Sequence, residues 1–181
     1  MYAQSCIAEY AEPGDDINIL EKGCWQSEFQ FLDHSPLDVE ISDDSGIYFP
    51  DIILKNSIVL ISSGIKNIFD KMKTDYVFYK PIRLIYSELG RAENYFLAVP
   101  PRINCLDISR SIIEVEENEF TLPTEILCEA KKICIAENKI GRYDIFKLAG
   151  VVNQEIIVTE KLRNALAEED FENLFFYELE G

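Results

Sequence analysis

The chain predicts an α+β fold, a mostly antiparallel sheet that carries two strand–helix–strand units and is flanked by an acidic N-terminal layer. Three observations predict it. The order strand, hydroxyl cap, amphipathic helix, aromatic strand is written twice, over 58–79 and again over 156–177. Between the copies, from Tyr76 to about Phe120, β-branched and aromatic residues fall into short, closely spaced runs, which favours antiparallel pairing. Residues 1–51 hold 12 acidic side chains against Lys22 alone, a net of −11, and are turn-rich and weakly periodic.

In chain order, Pro13-Gly14-Asp15-Asp16 and Ser42-Asp43-Asp44-Ser45-Gly46 are turn signals, and Glu28-Phe29-Gln30-Phe31 between them alternates like a short strand. Asp51 to Asn56 reads as a short apolar turn before strand Ile58–Ile61. Ser62 or Ser63 supplies the hydroxyl that accepts from the orphan amides of a helix start. Ile65, Ile68, Phe69 and Met72 then follow helical spacing, with Lys66, Asn67, Asp70, Lys71 and Lys73 on the wet side. Strands are expected at Tyr76–Lys80, Ile82–Tyr86, Tyr95–Val99, Ile103–Ile108 and Ile112–Val115, forming a meander punctuated by Pro81, Gly90, Pro100 and Pro101. A short helix is expected over Pro123–Lys131, and strands over Ile133–Ala136 and Tyr143–Leu148 joined by a Gly141 turn. The second unit closes the chain: Ile156-Ile157-Val158, the cap Thr159, a helix through Leu162, Ala165 and Leu166, then Leu174-Phe175-Phe176-Tyr177. The copies register with one inserted residue, Lys66-Asn67 against Arg163-Asn164.

At 181 residues and 48% apolar composition, the chain can bury roughly 70% of its unfolded surface. It reads as one unit, with 1–50 as peripheral layer and 51–181 as core. The formal charge of −16 is uneven, since residues 55–91 carry seven bases against three acids. Such a balance excludes phosphate-backbone binding, which needs a clustered basic face, disfavours anionic membranes, and favours a basic protein partner. Asp33, Asp38, Glu40, Asp43 and Asp44 are the candidate partner-binding residues. On charge alone, simple solubility explains the acids equally well.

Five scattered cysteines (Cys6, Cys24, Cys105, Cys128, Cys134) include no C-x-x-C pair. Cys105, Cys128 and Cys134 sit in apolar contexts and read as buried free thiols, which suits a reducing, cytoplasmic setting. The N-terminus lacks a basic n-region, and no apolar run is long enough to span a bilayer.

The sequence offers little reactive chemistry. His34 is the sole histidine, and adjacent Asp33-His34-Ser35 side chains diverge too far for a triad; an exposed loop histidine is the expected reading. No metal-ligand spacing, phosphate-cradling loop or cofactor motif is present, so neither metal nor cofactor is expected. Glu114, Glu116, Glu117 and Glu119 could pair for acid–base work, but a solvated strand edge explains them more economically. Trp25 reads as the plug of the N-terminal layer, with an interface anchor as the alternative.

Phe49-Pro50-Asp51, Ile61-Ser62, Phe78-Tyr79-Lys80-Pro81, Asn94-Tyr95-Phe96-Leu97, Cys105-Leu106-Asp107 with Ser111, Asp144-Ile145-Phe146-Lys147-Leu148 before Gly150, and Ile157-Val158-Thr159 follow one another in an order that resembles the immunity-protein family of bacterial polymorphic toxin systems. The resemblance covers residues 49–177. It implies a cytoplasmic, non-catalytic antidote that binds a co-encoded toxin domain stoichiometrically. Residues 1–51 depart from that pattern and are either where partner specificity lies or a variable edge. The rival readings are a small acidic hydrolase with paired carboxylates and an adaptor without a toxin partner.

Overall fold

The computed structural model describes residues 10–26, 33–42, 46–115, 128–151 and 155–179. Its main sheet has five strands in the order β1 (Leu37–Glu40), β4 (Phe78–Tyr86), β5 (Arg91–Val99), β3 (Ile58–Ser62), β2 (Ile52–Lys55). A second sheet holds β10 (Ile157–Val158), β9 (Ile145–Leu148) and β6 (Arg102–Ile103), and β7 (Ile112–Val115) pairs with β8 (Cys128–Lys132) as a separate ladder. Among the described residues five of the seven strand pairings are antiparallel; β1–β4 and β6–β9 are parallel. The fold is therefore α+β with mostly antiparallel sheets.

Alternation along the strands divides the main sheet into two apolar faces. Val39, Ile53, Ile58, Leu60, Ile82, Leu84, Tyr95, Leu97 and Val99 point to one face. There they meet Ala11, Ile17 and Leu20 from the 3₁₀ segment Asp15–Leu20 and the stretch before it, and Cys24 from helix α1 (Glu21–Gln26), so these residues form one wall of the core. Val59, Ile61 and Ala98 point to the other face, against helix α2 (Ser63–Lys71) and helix α3 (Glu160–Ala167). Residues Ile65, Ile68, Phe69, Leu162 and Leu166 recur at helical spacing and are buried there. Gly14 lies where an added Cβ would stand 2.9 Å from the Glu40 carbonyl oxygen, so a side chain there would push the N-terminal wall off β1.

Both expected caps form, and each has a second bond that sequence spacing does not reveal. Ser62 Oγ accepts from the Ile65 amide (3.4 Å) and donates to Asp51 (2.6 Å). Thr159 Oγ1 accepts from the Leu162 amide (3.4 Å) and donates to Asp144 (2.8 Å). The backbone repeats the match, Ser62 N–H to the Asp51 carbonyl and Thr159 N–H to that of Asp144. The repeated unit is thus an Asp-led hairpin followed by a capped helix: Asp51, β2, β3, α2, and Asp144, β9, β10, α3. Replacing Thr159 with Ala should cost about 1–2 kcal/mol, read by urea denaturation with an unchanged m-value; a loss under about 0.3 kcal/mol would mean the cap is not formed in solution.

Several expectations are corrected. The segment after Asp51 is strand β2, not a turn. It pairs with β3 from Ile52↔Ile61 to Lys55↔Ile58, across a turn in which Asn56 adopts φ 53°. Pro81 does not divide two strands but lies inside β4. Tyr79 and Ile85 turn their carbonyls toward β1, so the Pro81 nitrogen faces that side as well, one residue before the β1 ladder opens at Leu37↔Ile82. No ladder donor is needed there. The segment from Tyr76 is no simple meander either. Strands β3 and β4 flank β5, with α2 crossing between them. The expected Ile103–Ile108 strand reduces to β6 and an isolated Leu106–Ile135 bridge, which is also all that remains of strand Ile133–Ala136. The helix expected over Pro123–Lys131 is overturned at its C-terminal end, where Cys128–Lys132 is β8, paired with β7 and burying Ala130. Tertiary pairing outweighs the helical propensity of Glu129-Ala130-Lys131. Leu174–Tyr177 lies outside any strand, so the second unit has no closing strand. The expected Glu28–Phe31 strand, the Trp25 side chain and residues Glu116–Leu127 lie outside what is described.

Candidate partner-binding surfaces

Strand β1 places its carboxylates by period-two alternation: Val39 turns into the core while Asp38 and Glu40 stand exposed on the opposite face. That face is covered by α2 only over part of its length. Asp38, Glu40, Arg83, Ala92 and Asn94 are exposed on its far part, with Ile85 partly so. Their registers, Asp38↔Arg83 and Glu40↔Ile85 to β1, Arg83↔Asn94 and Ile85↔Ala92 to β5, make them neighbours on one open patch. Asp38 accepts from Arg83 Nε at 3.0 Å and from its Nη2, and this holds the guanidinium above its ordinary pKa. Glu40 accepts from Ser87 Oγ at 2.9 Å. Asp43 and Asp44 lie outside the described residues.

Asp33 is placed differently. Its carboxylate accepts from the buried Lys80 ammonium at 2.7 Å and from Ser35, and these bonds hold its carboxyl well below the usual range. Lys80 Nζ also donates to the Ser35 carbonyl at 2.6 Å. Asp33 thus ties the loop before β1 to β4, while Asp38 and Glu40 share the open face. His34 is exposed, donates from Nδ1 to the Tyr79 carbonyl (2.9 Å) and rests on Phe78. Of the paired glutamates, Glu114 lies in β7 and bonds Lys131.

A second lysine is buried without a carboxylate. Lys147 on β9 is 3% exposed, and its Nζ donates to the carbonyls of Cys24 (3.1 Å) and Ser57 (3.3 Å). Burial pulls its pKa down to about 8 and pushes the Cys24 thiol up to about 11. Cys24, Cys105 and Cys134 are buried; the Cys6 and Cys128 side chains lie outside what is described. Cys24 was not among the cysteines expected to be buried, since the N-terminal layer carries no strong apolar pattern.

Among the described residues, two clefts bear on partner binding. One of about 370 Å³ lies between Phe49, Pro50, Asp51, Ser62, Arg91 and Tyr95. The larger, about 820 Å³, lies between β10, the start of α3 and residues Phe175–Leu179, over a floor that includes Ile140 and Phe146. No group of three His, Cys, Asp or Glu among the described residues is placed to hold a metal. No described helix is long and apolar enough to cross a membrane.

The family model described as Immunity protein family (Imm11) matches residues 12–181. The match begins at Glu12 and so takes in most of the acidic N-terminal segment, which the resemblance over 49–177 had left outside. No curated protein matches the chain.

Proposed function

As the chain belongs to the immunity protein family Imm11, we propose that it protects a bacterial cytoplasm by binding a co-encoded toxin domain stoichiometrically, without catalysis, and by presenting carboxylates to a basic surface of that toxin. Toxin neutralisation is the general role that the family implies. The observation that carries the finer reading is the placement of charge: a net of −11 in residues 1–51, from which β1 projects Asp38 and Glu40 onto an uncovered sheet face. Carboxylates suit a basic toxin site because complementary potentials speed encounter and repel wrong partners. They also mimic phosphate oxygens toward Arg and Lys donors.

Charge reversal tests it. Asp38→Lys alone would set two cations face to face, so Arg83→Glu accompanies it, together with Glu40→Lys, Asp43→Lys and Asp44→Lys. Association with the toxin should slow about tenfold at low salt, and the difference from the unmodified chain should shrink as salt screens the charges. Dissociation should change little. Full protection of toxin-expressing cells by this variant at matched protein level, with an unaltered association rate, would place the contact elsewhere.

A further inference from the structure

We infer that the larger cleft, between β10, the first turn of α3 and the C-terminal segment 174–179, is the anchor site for an apolar, cation-bearing segment of the toxin. The inference rests on the neutralisation reading but assigns a different surface from the acidic sheet face. The carboxylates of that face are already engaged within the chain, Asp38 with Arg83 and Glu40 with Ser87. Such charges govern the rate and selectivity of encounter. Long residence depends on a few aromatic or aliphatic anchors that lose water on binding.

The cleft supplies those anchors. Phe175, Phe176 and Tyr177 are 75%, 37% and 52% exposed, three consecutive aromatic rings on the surface. Isolated exposed apolar side chains need no explanation, but a contiguous patch beside a cleft marks an interaction site. Residues 174–179 carry a strand-like composition and yet join no ladder, while β10 is an edge of its sheet among the described residues. Phe171 and Leu174 on one side and Leu179 on the other are packed into the core, so the exposed rings are held at the cleft wall. Apolar side chains Ile140, Phe146, Ile156 and Ile157 line the interior. Charge selects the occupant: among the described lining residues Glu137, Glu160 and Glu178 stand against the single cation Arg163. An apolar segment with a lysine or arginine beside it is therefore accepted, and an acidic one repelled.

The probe is the toxin domain encoded beside this gene, inactivated by an active-site substitution and used with the full-length chain. Phe175→Ser with Tyr177→Ser should raise the dissociation rate at least tenfold and leave association within about twofold, the reverse of the acidic-face variant. In parallel, hydrogen exchange on the unmodified chain should show toxin-dependent protection of residues 174–179 and 156–158, a reading that does not depend on the variant folding. An unchanged dissociation rate, or no protection of these segments in the complex, overturns the inference. So does conversion of the free chain from dimer to monomer by the double substitution with toxin dissociation unaltered, because the cleft would then serve a second copy. Failure of the unmodified chain to bind the toxin sinks the neutralisation reading itself. Binding with an indifferent cleft sinks only this one.

Discussion

Replacing Lys147 with Ala is expected to lower the unfolding free energy by about 3–5 kcal/mol. Removing a buried four-carbon stem resembles a core Met→Ala change, worth about 2–5 kcal/mol. The Cys24 and Ser57 carbonyls would also lose their donor, at about 1–3 kcal/mol for each buried group left unpaired. Relief of the cation's own desolvation offsets part of this. A pKa drawn from 10.5 down to about 8 corresponds to a cost on the order of 3 kcal/mol at neutral pH. Lys147→Met separates the contributions: it keeps the stem, abolishes the charge and leaves the carbonyls unpaired, so its net change should stay within about 1–2 kcal/mol. Denaturant titration measures both. An Ala variant as stable as the unmodified chain would mean that the ammonium is not seated between these carbonyls.

The same lysine sets a pH signature. Its folded pKa lies below its unfolded one, so between about pH 8 and 10.5 the unfolded chain binds more protons, and the Lys147 contribution to stability rises with pH. Below about pH 8 both states are protonated and the full cost of burying the cation is present. Cys24 acts in the opposite sense: its thiol is pushed from 9.0 up to about 11, so its contribution falls between about pH 9 and 11. Tyr79 and Tyr95, raised chiefly by burial, add to the fall above about pH 10. On these groups stability should therefore climb from pH 8 to about 9, stay nearly level to about pH 10 while Lys147 and Cys24 offset each other, and then turn down. Lys147→Met should remove the climb and leave the descent.

These lysines also show where sequence reading stops. Ser62 and Thr159 were legible as caps because a cap is a local bond to an amide three residues on. Helices α2 and α3 were legible from periodicity, and strands β3 and β7 from their β-branched runs. Lys147, inside Asp144-Ile145-Phe146-Lys147-Leu148, gives no local sign of burial; its partners Cys24 and Ser57 are 123 and 90 residues away. Lys80 draws on Asp33 and Ser35 across 47 and 45 residues. Strand β8 was hidden by helix-favouring residues, and β2 by its brevity and by the turn signal at Asn56. In the candidate surface, the alternation that exposes Asp38 and Glu40 could be read from Leu37-Asp38-Val39-Glu40. That Asp33 serves a buried lysine could not. The aromatic run 174–177 was read as a strand because composition reports strand propensity and says nothing of whether a partner edge is in reach.

The second large effect is expected at Asp51, whose two carboxylate oxygens join elements far apart in the chain. One accepts from Ser62 Oγ at 2.6 Å and so orients the cap of α2; the other accepts from the Glu172 amide at 3.0 Å and fixes the start of the C-terminal segment. Asn173 Nδ2 adds a bond to the Ile52 carbonyl at 2.9 Å, and Phe171 lies so close to Gly64 that a Cβ there would stand 2.9 Å from its ring. Asp51→Ala removes two charge-assisted hydrogen bonds and frees the Ser62 hydroxyl from its orienting partner. The expected cost is about 2–4 kcal/mol, taking each bond to a charged acceptor at about 1.5–3 and allowing for water to replace one. Among the described residues the Asp144 carboxylate has no such bond to a distant segment; its second oxygen meets Lys161 at 3.4 Å. Asp144→Ala should therefore cost less, about 1–2 kcal/mol, despite the shared cap geometry. The readout that separates the two is hydrogen exchange. Asp51→Ala should speed exchange across 171–179 as well as at the first turn of α2, whereas Asp144→Ala should affect only the first turn of α3. Equal costs for both substitutions, with 171–179 untouched, would show that the link from Asp51 to the C-terminal segment does not contribute in solution.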